Sequence, residues 1–244
     1  ERGDAASPFL NALNVAFAKG PAWDRPSVLF SDMMIAGCFI NEPGLVALCS
    51  EASEREYRYL EELGVPFVRK DGEPARRQAA GSSTPHAVYA REKVGVAMLA
   101  KMRAQIAAQG SRIRPLAKAS LLSLRAGDRR VAGGLIRDDH AGRWIEVKAK
   151  ATVIATGGAY NLYTATTQPP VNLGEGYAMA LEAGAELVDM EFVGWEPFIA
   201  ASPKCRGRSL STTLLKEGSI LRNRHMEPFV DTSGAAPKDV ISRA

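Results

Sequence analysis

Apolar and polar positions change their period along the 244-residue chain, and each change predicts an element. From Pro43 the text PGLVALCSEASEREYRYLEELG places Leu45, Cys49, Ala52, Leu60 and Leu63 on one face, with charges opposite. Spacings of three and four are those of an amphipathic helix. Gly64 supplies the left-handed closing residue and Pro66 prevents continuation. A second helix is predicted over 91–109, with Val94, Met98, Met102 and Ile106 as its buried stripe and Gly110 as its end. Burying a side chain of this kind contributes about 1.5–3 kcal/mol, so both stripes need a partner surface.

After Gly110 the period falls to two. The runs 113–124, 131–137 and 144–154 predict strands, with a hairpin signal at Gly127-Asp128 and a loop over Asp138 to Gly142. The third run closes on ATVIATGG, apolar to Ile154 and then abruptly small. That pattern predicts a buried central strand, halted where the backbone must approach something closely. A third helix is expected over 174–188, with Ala178, Ala180, Ala183 and Ala185 as a small-residue face. Beyond Phe192 the text is loop-rich, which places a domain boundary between 1–192 and 193–244.

Composition narrows the function classes. Apolar residues make up 46% and charged residues 24%, the proportions of a globular chain. The net charge is +4, but the basic residues are scattered. Their densest group, Lys204, Arg206 and Arg208, has no aromatic interleaving, so no nucleic-acid partner is expected. No apolar run is long enough for a transmembrane segment, and no leader with a cleavage site is read. Three cysteines without CxxC spacing point away from a disulfide framework and toward a reducing, cytoplasmic setting. His86, His140 and His225 are too far apart for a metal-ligand spacing, so no metal site is predicted. His140 reads as part of a solvated turn and His225 as exposed.

The sharpest local signal is Ala155-Thr156-Gly157-Gly158-Ala159. Glycines after a buried strand let a cofactor lie against bare amides, although a Gly-Gly pair also serves a plain tight turn. Around it, ATVIATGGAYNLY, TTQPPVNLGEGYAMALEAGAELVDMEF, EGSILRN and PKDVISRA follow in order, after SDMMIAGCFINEPGLVALCSEASEREYRYLEELGVPF. These blocks resemble the flavoprotein subunits of fumarate reductase and succinate dehydrogenase, a group that includes L-aspartate oxidase and adenylylsulfate reductase. The similarity covers nearly the whole chain.

The resemblance implies an α/β fold class: a Rossmann-like FAD-binding domain of the glutathione-reductase type, with part of an inserted α+β capping domain. The family's G-x-G-x-x-G phosphate turn is not in this text. Glu1 matches the acid that meets the adenosine ribose, so the chain is expected to open just after that turn and to close inside the cap. Ser7 and Asn14 match the loop beside the pyrophosphate and flavin, Ala119 the backbone position at adenine, and Thr156, Gly157 and Gly158 the dinucleotide lining. Glu175 stands where the family has an aspartate near the ribityl chain, and reads equally as a first-turn acid complementing a helix dipole. Ala5 sits where some members carry a flavin-linked histidine, so the implied FAD is noncovalent.

Cofactor text is kept; substrate text departs. Glu196, in Trp195-Glu196-Pro197-Phe198, replaces the histidine of the family's His-Pro-Thr motif. A carboxylate there repels a dicarboxylate. Ser211-Thr212 replace a Thr-Glu pair, Leu215 replaces an arginine, and Glu217-Gly218 persist. Lys238 replaces the proton-donating arginine, a role lysine can perform, although a plain surface lysine is the somewhat stronger reading of the residue alone, while Arg243 matches a second, more structural arginine. His86 falls near the family's substrate loop. The resemblance implies hydride transfer between FAD and a small saturated or unsaturated substrate other than plain fumarate, with Lys238 and Glu196 as catalytic candidates. It allows an electron-transfer partner such as an iron–sulfur protein. The rival reading is a flavin-binding or assembly protein without turnover.

Overall fold

A computed structural model describes residues 10, 12–79, 81–91, 93–127, 130–164, 166–167, 171–194, 199–200, 202–204 and 219–229. They fall into two compact units, one of 106–194 and one of 10–105 together with 199–229.

In the unit of 106–194, β6 (Ala119–Gly127), β7 (Arg130–Asp138) and β8 (Arg143–Lys148) form an antiparallel sheet in that order. Gly127 pairs with Arg130 and Asp138 with Arg143, so two hairpins build it, as the period of two predicts. The first hairpin's turn residues lie outside the described set. In the second turn Asp138 Oδ1 accepts from the backbone N–H groups of His140 and Ala141, at 3.1 and 2.9 Å. The Ala141 bond, followed by the Arg143 and His140 contacts, holds the Asp138 carboxyl below the usual carboxylate range. The first strand begins at Ala119, later than expected, after a left-handed Lys118 whose carbonyl accepts from Asp139 N–H at 2.8 Å.

Two expectations fail in this unit. The run 144–154 is not one buried strand: β8 stops at Lys148, and Ala151–Ile154 run on unpaired and exposed, Val153 at 88%. An apolar run becomes a ladder strand only where a neighbour offers N–H and C=O groups at its side, and no described residue does so here. The third helix is α4 (Glu175–Glu182), half the predicted length. Gly184 at φ +91° reverses the chain, with its N–H on Leu181 O and Ala185 N–H on Ala180 O, both at 2.9 Å, a Schellman closure. Its inner face is Gly176, Met179, Ala180 and Ala183.

The other unit holds the larger core. Here β1 (Ala12–Asn14) and β4 (Arg76–Arg77) flank β5 (Ala87–Tyr89), all antiparallel. Next to them β2 (Arg69–Lys70) and β3 (Glu73–Pro74) form a hairpin over Asp71-Gly72, both with positive φ as a type I′ turn demands. Helices α1 (Pro26–Ala36), α2 (Pro43–Glu62) and α3 (Val94–Ala108) complete it, the unit division falling in the last turn of α3. Gly64 at φ +86° ends α2 and Gly110 at φ +55° follows α3, as expected.

The buried face of α2 differs from the predicted one: Val46, Ser50, Tyr57 and Leu60 face inward, while Leu45 and Cys49 are exposed. Tyr57 sets this register. Its ring packs edge-on to Phe17 and against Phe67, at centroid distances of 5.4 and 4.8 Å, in a cluster with Val15 and Val88. One large aromatic side chain outweighs several small ones in buried area. On α3, Val94, Gly95 and Ala97 are buried, Met98 and Met102 pack beside Leu60 and Val65, and Ile106 is exposed.

Tyr57 Oη donates to Glu61 Oε1 at 2.8 Å. Burial, then the Glu61 bond and charge, push the phenol up from 10.0 to about 12. Burial alone raises Glu61, but the Tyr57 and Arg69 bonds and the arginine charges bring its carboxyl below the ordinary value. The folded state favours the neutral phenol, so its contribution is complete below the unfolded value near pH 10 and lost as pH rises toward 12. Spectrophotometric titration should show one tyrosine ionising near pH 12 together with unfolding, and Tyr57→Phe should remove that step.

Candidate functional site

Ile154 and Thr156, in the extended run after β8, meet the start of α4 so closely that glycine is required there. A Cβ on Gly176 would lie 2.0 Å from Thr156 Oγ1 and 3.1 Å from Ile154 Cγ2. A Cβ on Gly174, which precedes the helix at φ +85°, would lie 2.8 Å from Ala159 Cβ. Gly157 turns the chain at φ +76° over the side chain of Asn172, with 3.3 Å between its Cβ position and both Nδ2 and Oδ1. The chain then passes through buried Gly158 and a 3-10 turn at Tyr160–Leu162, where Asn161 N–H donates to Asn172 O at 3.0 Å.

These residues form a cradle of close backbone approaches, packed by the side chains of Thr156 and Asn172 and by the Tyr160 ring, 2.4 Å from where a Cβ on Gly158 would stand. The first turn of α4 presents N–H groups that have no intrahelical acceptor, and no side chain caps them. The helix dipole adds partial positive charge at that end. Asn172 is 4% exposed, and its Nδ2 has no hydrogen-bond partner among the described residues. A glycine-rich turn, a helix N-terminus and an unsatisfied buried donor fit an anionic, oxygen-rich group such as the FAD that the sequence blocks imply.

Thr156, Gly157, Gly158 and Glu175 are thus brought together, with Glu175 exposed in the first turn of α4. Ala119, half-buried, opens β6, the strand against which α4 packs. Asn14 is the exposed end of β1, paired with Ala87 in the other unit. Glu1, Ser7, Glu196 and Lys238, with Ala5, lie outside the described residues. Asn172 escaped the sequence reading; its signal was one polar residue between Val171 and Leu173, just ahead of the Gly174-Glu175-Gly176 triplet.

A second polar cluster lies inside the unit of 10–105. Asp24 and His86 are fully buried, and Asp24 pairs with Arg76, whose guanidinium also lies 4.5 Å from the Phe17 ring centroid. His86 Nδ1 is 3.4 Å from Asp24 Oδ1 but off line for a hydrogen bond, while Nε2 is 2.8 Å from Thr84 Oγ1. Asp32 Oδ2 accepts from Ser83 N–H at 2.8 Å. The cluster ties α1 and the chain before it to β4 and to the segment entering β5. His86, noted for its place near a substrate loop, has no exposed surface and acts here as a packing group. Among the described residues no group of three or more His, Cys, Asp or Glu side chains could hold a metal ion, and no helix is long and apolar enough to cross a membrane.

Residues 5–244 match the family model described as an FAD binding domain. The chain is 32% identical over 237 residues to a fumarate reductase (CoM/CoB) subunit of Methanothermobacter marburgensis, covering 95% of this chain and 43% of that protein. It is 33% identical to L-aspartate oxidase of Caulobacter vibrioides, covering 98% of this chain and 48% of that one. Among solved structures, E. coli quinol fumarate reductase FrdA superposes with a TM-score of 0.82 at 26% identity, over 92% of this chain and 37% of that one. The chain therefore spans less than half the length of these relatives.

Proposed function

The chain belongs to the FAD-binding domain family, and on that premise we propose that it forms the cofactor-holding part of an FAD-dependent oxidoreductase of the fumarate reductase, succinate dehydrogenase and L-aspartate oxidase type. The observation that carries this reading is the glycine cradle at Gly157, Gly174 and Gly176, closed on one side by the start of α4 and floored by Asn172.

Bound FAD supplies hydride exchange at its flavin. The chain's own residues bind and orient it: Thr156, Gly157 and Gly158 line the dinucleotide, the first turn of α4 faces its oxygens, and Glu175 meets the ribityl side. Ala119 lies at adenine, Glu1 at the ribose, and Ser7 and Asn14 along the pyrophosphate and flavin. With Ala5 in place of a linking histidine, the flavin is held noncovalently. The cofactor domain runs over 1–192 and a capping segment over 193–244. From the cap side Lys238 delivers the proton and Glu196 faces the substrate. A lysine and a glutamate in place of an arginine and a histidine suit a zwitterionic or amine-bearing substrate better than plain fumarate. An electron-transfer partner and a cytoplasmic setting complete the reading.

Those same substitutions favour a second reading, a flavin-binding or assembly protein of this fold without turnover. Purified full-length protein is expected to be yellow and, on acid precipitation, to release its flavin to the supernatant. Anaerobic addition of amino-acid or dicarboxylate candidates then separates the readings. Bleaching of the flavin by one of them, lost in Lys238→Ala while the flavin stays bound, supports the enzyme. A chain that holds FAD and exchanges electrons with none of them supports the second reading, and a colourless chain that takes up no added FAD overturns both.

A further inference from the structure

Three buried side-chain atoms lack a hydrogen-bond partner among the described residues: Asn41 Oδ1, His86 Nδ1 and Asn172 Nδ2. Asn41 donates through Nδ2 to Met33 O at 3.0 Å, and His86 Nδ1 lies beside the Asp24 carboxylate. Only Asn172 of the three sits in the glycine cradle, with its carboxamide against Gly157. A buried donor without an acceptor costs about 1–3 kcal/mol, so retaining one calls for a reason outside the ligand-free fold. Leucine has the same branched outline without that cost.

We propose that Asn172 is a positioning residue of the cofactor site: its side-chain N–H is left unsatisfied in the ligand-free chain and finds its acceptor only when FAD is bound. The inference rests on the FAD reading above and goes beyond it, because no motif of the family text assigns a role to this position. Asn172 is well placed for the task. Its carbonyl is fixed by Asn161 N–H, two residues before Gly174. Its carboxamide lies against Gly157, where φ of +76° strains any other residue and a Cβ would stand a tight 3.3 Å away. The residue therefore sets where the Gly157–Gly158 turn stands against the cofactor. Ligand-free stability is given up for cofactor affinity.

The two quantities should move in opposite directions, which a merely structural residue would not allow. In the full-length protein, freed of flavin and titrated with FAD, Asn172→Leu is expected to keep or raise the ligand-free melting temperature. It should also weaken FAD binding by about tenfold, the loss of roughly one hydrogen bond to a polar partner. Asn172→Asp, of nearly the same shape, exchanges the donor for a carboxylate and should weaken FAD further, which keeps the test decisive if the leucine variant folds poorly. The proposal is overturned if both variants bind FAD as the parent does, or if they lower the ligand-free melting temperature without changing the affinity. Failure of the parent itself to bind FAD would overturn the cofactor reading instead, a separate and recognisable result.

Discussion

Gly176→Val is expected to yield protein without flavin. The first atom of the new side chain would lie 2.0 Å from Thr156 Oγ1 and 3.1 Å from Ile154 Cγ2, so α4 must withdraw from that segment. Overpacking of this kind costs about 1–3 kcal/mol and often more when backbone has to move. The displacement acts on the element whose N-terminus closes the cradle. Flavin content of the purified protein, from its visible absorbance, reads the effect directly. Gly184→Ala is the matched control. Gly184 at φ +91° has open space around it, so alanine there strains the end of α4 without pushing on Thr156. That variant should lose about 1 kcal/mol of stability and keep its flavin. Equal flavin loss in both would mean that α4 matters through its stability alone, not through its approach to Ile154 and Thr156.

The largest loss of stability is expected from Asp24→Ala. Asp24 has no exposed surface, pairs with Arg76, and lies beside His86. Its Oδ1 also accepts from Phe17 N–H at 3.4 Å. Removing the carboxylate leaves a largely buried guanidinium without its counter-charge, a change that costs about 3–5 kcal/mol. Against the roughly 5–15 kcal/mol that holds a domain folded, this is a large fraction. Urea denaturation of Asp24→Ala beside Asp139→Ala provides the test, since Asp139 also pairs with an arginine but at the surface. Equal midpoints in the two variants would show that the buried cluster does not hold this unit together.

The hairpins of β6, β7 and β8 were legible because their signals are local. Alternation of period two, a glycine at the first reversal and an aspartate that accepts two N–H groups at the second all lie within a few residues of each other. The stops at Gly64 and Gly110 were legible for the same reason. The Asp71-Gly72 turn carries an equally local signal, between strands of only two residues each, too short to show a period. At the candidate site, Thr156-Gly157-Gly158 and Gly174-Glu175-Gly176 stood out as glycine-rich text, since a backbone that must approach another group leaves that mark in composition.

What stayed hidden depends on residues far apart in the chain. The face of α2 was misjudged because Tyr57 meets Phe17 and Phe67, so distant aromatics rotate the helix away from its apparent stripe. The end of α4 was placed too late because alanines beyond Gly184 read as helix until the left-handed turn intervenes. Asp24, Asp32, Arg76 and His86 are scattered over 63 positions, and only folding makes them one cluster. The sequence by itself determined the reversals between β6, β7 and β8, the stops at Gly64 and Gly110 and the family whose cofactor text it carries, because these rest on backbone conformation and short-range order. The tertiary structure alone decided which faces are buried, that Ala151–Ile154 stand unpaired, and that Asn172 lies against Gly157, because burial and hydrogen-bond satisfaction are properties of neighbours brought together in space.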